Sequence, residues 1–157
     1  MRTLFRNATE DEVGILTAMS KAAFLSDIEY CGEPGGPTGY DDYDFHLGHQ
    51  NNGDLYSLLD NGKIVAGAIL AADGDSLYIY RIFVNPEEFH KGYGIKLMKE
   101  IEDHFPEVML FKLDTPEWNS RTNSFYQKCG YKAVGKEHIP EFDLIVYKEK
   151  RSQLKLR

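Results

Sequence analysis

The sequence predicts an α/β domain of about six or seven strands and about four helices, in the order β-α-α-β-β-β-α-β-α-β-β. Three observations carry that expectation. A run with apolar residues three and four apart follows Thr9. A strand meander marked by an Asn-Gly turn begins at Leu55. A third strand then passes through a two-glycine turn directly into an amphipathic helix, between Ile82 and Ile95.

Taken in order, Arg2 to Asn7 reads as a first strand. Thr9 with Glu12 three residues later is a capping box, and Val13, Ile15, Leu16, Met19, Ala22 and Ala23 then space like one helical face to about Phe24. The stretch from Tyr30 to Asp44 holds Gly-Glu-Pro-Gly-Gly-Pro at 32–37, which forbids a regular element, although a short helix fits Asp41 to His49. Leu55 to Leu59 and Lys63 to Ala71 form a hairpin around Asn61-Gly62. Ala72 to Asp75 turn the chain into a strand from Leu77 to Val84, whose apolar mixture suits burial on both faces, and Pro86 ends it. Gly94 to His104 is a helix with Ile95, Leu97, Met98 and Ile101 on its inner stripe. Val108 to Leu113 is a strand, Asn119 to Cys129 a helix stopped by Gly130, and Tyr131 to Gly135 and Phe142 to Tyr147 are closing strands. With no repeat, low-complexity tract or linker, residues 1–157 read as a single domain.

A chain of 157 residues can bury roughly 70% of its unfolded surface, enough for a core without disulfides or metals. No window approaches the roughly 20 apolar residues of a membrane span, and Met1 to Thr9 lacks the apolar run of a signal peptide. Cys31 and Cys129 show no metal-ligand spacing. These features give the expectation of a cytoplasmic protein with reduced thiols, no metal and no membrane partner. The net charge of −7 argues against nucleic acid. Its distribution is uneven. Between Lys21 and Lys63 there is no Lys or Arg, only the acids Asp27, Glu29, Glu33, Asp41, Asp42, Asp44, Asp54 and Asp60, while Lys148 to Arg157 is basic.

The chemistry concentrates at Ile82-Phe83-Val84-Asn85-Pro86-Glu87-Glu88-Phe89-His90-Lys91-Gly92-Tyr93-Gly94-Ile95. The first amides of a helix lack internal partners and carry partial positive charge, and glycines let such a turn close around phosphate oxygens. A dinucleotide fingerprint would need a third glycine where Leu97 stands, and no Gly-Lys-Ser/Thr triplet exists for a Walker loop.

The turn resembles the acetyl-CoA motif of the GNAT (GCN5-related N-acetyltransferase) family, Gln/Arg-x-x-Gly-x-Gly/Ala after a strand ending Val-x-Pro. Val84-Asn85-Pro86 and Gly92-Tyr93-Gly94 fit it, with Phe89 in place of Gln or Arg. A second family element, Asn-x-x-Ala-x-x-Phe-Tyr-x-x-x-Gly-Phe, is similar to Asn119 through Tyr131, with Thr122 for Ala and Tyr131 for Phe. The resemblance covers about Leu55 to Tyr147. It implies the GNAT acyl-CoA N-acyltransferase fold: a central mixed, mostly antiparallel sheet flanked by helices. It also implies acetyl-CoA as cosubstrate, held by Ile82, Phe83, Val84, Phe89, His90, Lys91, Gly92, Tyr93, Gly94, Ile95, Asn119 and Tyr126, and transfer of the acetyl group to an amine in a ternary complex.

The resemblance implies Tyr126 as the general acid, a role that suits a phenol, which is protonated at neutral pH and can donate to a departing thiolate. The place of the Glu that many relatives use as base holds Tyr80. Other relatives carry a carboxylate five residues before the motif Asn, and the resemblance therefore implies Asp114 as a candidate base, with His46 and His49 as further candidates. The resemblance places the acceptor side between the first helix and the second strand, here the acidic, aromatic stretch from Ala22 to Gly62. That charge suits a small cationic amine such as a polyamine, an amino sugar or a lysine-like compound, contacted by Glu29, Tyr30, Tyr40, Asp41 and Tyr80. The basic end is expected to be frayed, or else to meet the cofactor's 3′-phosphate. Alternative readings are a catalytically weak CoA-binding sensor, a protein N-terminal or lysine acetyltransferase, and a module whose open sheet takes a peptide strand. The resemblance also leaves room for a homodimer.

Overall fold

A computed structural model describes residues 2–32, 35–140 and 142–152. Glu33 and Pro34 of the Gly/Pro stretch, and Lys155 and Arg157 of the basic end, lie outside them. Strand β1 (Thr3–Asn7) leads to a 3₁₀ turn at Glu10–Glu12 and helix α1 (Val13–Cys31). The Thr9 amide donates to Glu12 Oε1 at 3.0 Å, one arm of the capping box read from sequence. Helix α1 runs through Cys31 rather than stopping near Phe24. No breaker precedes Gly32, which ends it in the left-handed region at φ 73°. Its buried stripe is Val13, Leu16, Thr17, Met19, Ser20 and Ala23, so Ile15 and Ala22 face outward, contrary to the sequence reading. Helix α2 (Tyr43–Asn51) begins on Asp42, whose carboxylate accepts from the Phe45 amide at 3.2 Å.

Then come β2 (Leu55–Asp60), β3 (Lys63–Asp73), β4 (Ser76–Val84), α3 (Tyr93–His104), β5 (Leu110–Pro116), α4 (Ser120–Lys128), β6 (Lys132–Ile139) and β7 (Phe142–Arg151). The seven strands form one sheet in the order β1-β2-β3-β4-β5-β7-β6. Every neighbouring pair is antiparallel except β4 with β5. The basic end is not frayed as far as it is described: Lys148, Lys150 and Arg151 belong to β7 and pair with β5.

Two cores flank the sheet. Leu58, Ala68, Leu77, Leu97, Ile101 and Phe111 pack beneath α3, with Tyr126 of α4 joining them. Val13, Leu16, Leu55, Ile69 and Phe83 pack beneath α1, with Phe45 and Leu47 of α2 at the edge. Each fully buried Leu or Ile contributes about 1.5–3 kcal/mol. Ile95 departs from the predicted stripe of α3, being exposed while Tyr93, Leu97, Met98 and Ile101 are buried.

Strand β4 also departs from expectation. Its register against β3 jumps from Ile69↔Arg81 to Leu70↔Ile79, leaving Tyr80 as an inserted residue. Before this bulge Leu77 and Ile79 face the α3 core; after it Phe83 faces the α1 core, and Ile82 and Val84 pack on the α3 side. Tyr78, Tyr80, Arg81 and Ile82 are only half-buried, because they line an open hollow rather than a second packed layer.

Candidate functional site

Strands β4 and β5 pair only through Ser76↔Leu110, Leu77↔Phe111 and Tyr78↔Lys112. Beyond Tyr78, β4 stays with β3 while β5 stays with β7, and the two edges part. Two hollows lie along the parting, of about 310 Å³ at the glycine turn and about 340 Å³ beside Asp114. Phe24, Asp27, Ile82 and Thr122 line both.

The first hollow is shaped by backbone. Gly92 caps α3 at φ 85° and His90 sits at φ 67°, both in the left-handed region. The helical ladder starts with Lys96 N–H donating to Gly92 O at 3.1 Å, so the amides of Tyr93, Gly94 and Ile95 have no partner within the helix. A Cβ on Gly94 would meet the Phe125 ring at 3.1 Å, so glycine lets α3 and α4 approach there. Exposed Ile95 stands on the rim. Lys91 is committed elsewhere, its Nζ donating to Glu88 at 2.7 Å beside Lys63 at 2.8 Å. Arg121 of α4 occupies a position the sequence did not flag. Its guanidinium lies 5.2 Å from the centre of the Phe89 ring and 4.9 Å from that of Tyr30. Its Nη1 donates to Ser26 O at 3.2 Å and to Ser26 Oγ at 3.1 Å, and pairs with Asp27 at 3.6 Å.

The second hollow is made of side chains. The Tyr126 ring is buried, and desolvation pushes its phenol well above the ordinary value, with Asp27 and Asp114 adding in the same direction. Asn119 caps α4 by accepting from the Thr122 amide at 3.1 Å, and its Nδ2 donates to Asp27 at 3.1 Å. Burial raises the Asp27 carboxyl, opposed by the Asn119 hydrogen bond and the Arg121 charge. Asp114 accepts a short hydrogen bond from the Tyr78 hydroxyl. Burial, and then that bond, push the Tyr78 phenol far above its usual range. Arg81 and Tyr80 complete one wall.

Other residues expected at the acceptor side lie elsewhere. Glu29, Tyr30 and Asp41 are exposed and line neither hollow, and Tyr40 packs edge-on to Phe24 at 6.1 Å. The acids from Asp27 to Asp60 are not a free field: Asp42 caps α2, Asp54 bonds His49 at 2.8 Å, and Asp60 accepts from Tyr93. His46 is fully buried, with Nδ1 donating to Asp42 O at 2.8 Å, and burial holds its pKa down. Neither His46 nor His49 lines either hollow. Among the described residues no group of three or more His, Cys, Asp or Glu is placed to hold a metal, and no helix is long and apolar enough to cross a membrane.

The family model described as "Acetyltransferase (GNAT) family" matches residues 22–131. The chain belongs to this family. YrkN, described as an uncharacterized protein of Bacillus subtilis (strain 168), is 32% identical over 91 residues, covering 56% of this chain and 46% of that one. This chain therefore matches just under half the length of that relative. A GNAT-family acetyltransferase structure from Streptococcus agalactiae superposes with a TM-score of 0.83 at 16% identity, over 96% of both chains. The PaiA N-acetyltransferase of Thermoplasma acidophilum, solved in complex with coenzyme A, gives 0.76 at 20% identity over 96% of this chain and 99% of that one. The GNAT member therefore has the GNAT fold, as its two motifs implied.

Proposed function

We propose that this GNAT domain, residues 1–157, transfers the acetyl group of acetyl-CoA to the primary amine of a small molecule. The observation that carries this reading is the continuity of the two hollows along the β4–β5 parting: one is fitted to a pyrophosphate and the other to an acid–base reaction. The amides of Tyr93, Gly94 and Ile95, at the positive end of α3, fit the pyrophosphate. The edge of β4 from Ile82 to Val84, free of β5, fits an extended pantetheine arm, with Asn119 and Thr122 opposite. Phe89 fits as a platform that carries the Arg121 guanidinium, so a cation from α4 stands in for the Gln or Arg absent at the motif's first position.

The cosubstrate supplies a thioester carbonyl. The acceptor enters as an ammonium drawn by Asp27 and Asp114, and its proton passes to Asp114, whose other oxygen is held by Tyr78. The neutral nitrogen then attacks the carbonyl carbon. A β4 amide polarises the carbonyl oxygen. As the carbon–sulfur bond breaks, Tyr126 Oη gives its proton to the departing sulfur. The attacking nitrogen sheds its surplus proton to restore the Tyr126 phenol, and Asp114 returns the proton it took to solvent. A phenol raised by burial stays protonated across the neutral range, as this role requires.

The test pairs two measurements. Calorimetry with acetyl-CoA is expected to give one-to-one binding, and a free-thiol release assay across a panel of primary amines is expected to give amine-dependent release. Binding with no amine-dependent release would leave a sensor, and absence of binding would remove the reading altogether.

A further inference from the structure

Arg81 has no part in the scheme above, and its surroundings are unusual for a charge. It stands in the middle of β4, in an otherwise apolar and aromatic strand. The bulge at Tyr80 turns Tyr80 and Arg81 toward the same neighbour: the Arg81 guanidinium lies 5.2 Å from the Phe45 ring centre and 4.6 Å from that of Tyr80. Its Nη2 reaches the Tyr80 hydroxyl only at 3.4 Å, and its Nη1 is fully buried without a hydrogen-bond partner. Among the described residues Arg81 makes no ion pair. Burial holds the guanidinium below its ordinary pKa.

A desolvated guanidinium with no anion in contact is costly, and folded proteins rarely leave one so; the Asp114 charge acts on Arg81 only through space. Its stacked aromatics hold it in place without neutralising it. It lines the same hollow as Asp27, Asp114 and Tyr126. The hollow therefore carries both signs of charge, with carboxylates suited to an ammonium and a planar fork suited to a carboxylate.

We infer that the acceptor is an amino acid or a compound of that class, with a carboxylate that pairs with Arg81 while its amine lies toward Asp114 and the thioester. This rests on the acetyltransferase reading and narrows its substrate. A purely cationic diamine would satisfy the two acids but leave Arg81 unpaired and repelled.

The experiment compares matched acceptors: amino acids, their carboxamides, and the amines left when the carboxylate is removed. With wild-type protein, kcat/KM for the amino acid is expected to exceed that for its decarboxylated partner by about tenfold or more, the effect of one buried charge-assisted pair. Arg81→Met is expected to erase that ratio while decarboxylated amines are still turned over. Arg81→Lys is expected to restore part of it. A wild-type ratio of one or below would overturn the inference even if the variants failed to fold, and so would a ratio unchanged in folded Arg81→Met. Calorimetric binding of the amino acid to CoA-loaded protein reads the same contact without turnover. Carboxylate-dependent binding without thiol release would sink the transferase reading and keep the Arg81 assignment. Thiol release without carboxylate preference would do the reverse.

Discussion

The hollow at the glycine turn is built from backbone, with His90 and Gly92 in the left-handed region and three α3 amides outside the helical ladder. The ionisable side chains of the hollow at Asp114 come from four elements: Asp27 from α1, Tyr78, Tyr80 and Arg81 from β4, Asp114 from β5, and Tyr126 from α4. A backbone site depends on one short stretch of chain and reads only charge and shape. A side-chain site depends on how distant elements pack, and each member can be exchanged without disturbing the chain. On the proposed function, binding of the cosubstrate and selection of the acceptor are thus separable within one cleft.

Four substitutions sharpen or break this division. The largest effect is expected from Tyr126→Phe, which removes one proton donor and nothing from the glycine turn. Turnover should fall about 100-fold with acetyl-CoA affinity within about twofold, and equal losses in both would dissolve the division. Gly92→Val strains a residue at φ 85°. It should weaken acetyl-CoA roughly tenfold, by titration calorimetry, with the acceptor preference unchanged. Arg121→Ala should weaken CoA by about fivefold and flatten the salt dependence of its affinity, whereas an unchanged salt slope would mean that this guanidinium serves only the α1 contact.

The smallest functional effect is expected far from both hollows. Arg6 bonds Glu12 at 2.8–2.9 Å, and that hydrogen bond, against the cost of burial, holds the Glu12 carboxyl at about 2 rather than 4.5. A carboxyl lowered by folding stabilises above its ordinary pKa and loses that contribution as pH falls toward the folded value. Glu12→Gln should therefore cost about 1–2 kcal/mol at neutral pH after solvent screening, and the gap from wild type should close between about pH 4.5 and 2. Urea melts at two pH values check it. Kinetic constants should not move.

The same division explains what could be read in the chain. Val84-Asn85-Pro86, Gly92 and Gly94 announce the turn because a backbone site leaves a local spelling, and Asn119 to Tyr131 adds a second. Strand order up to β4 was legible from hairpin turns, but the β4–β5 parting was not, since nothing local records where two distant strands stop pairing. Arg121 and Asp27 were missed because their importance comes from α1 meeting α4 across the cleft. For Asp27 the predicted end of α1 near Phe24 also hid its place on the helix. Arg81 did leave a signal, a lone charge in an apolar strand, but the bulge that gives it meaning is a matter of register. Conversely Glu29, Tyr30 and Asp41 were grouped by composition, which does not record which side of a helix or loop a residue occupies.

The three residue pairs joining β4 to β5 have a mechanical consequence. Strands β1 and β7 lie on opposite sides of this seam, so tension applied between them crosses every strand boundary from β1 to β7 in series. The β3–β4 boundary carries eight pairs and the β5–β7 boundary seven. Under a pulling force the sheet should part first along its shortest seam, splitting the molecule at the line where cosubstrate and acceptor are proposed to meet.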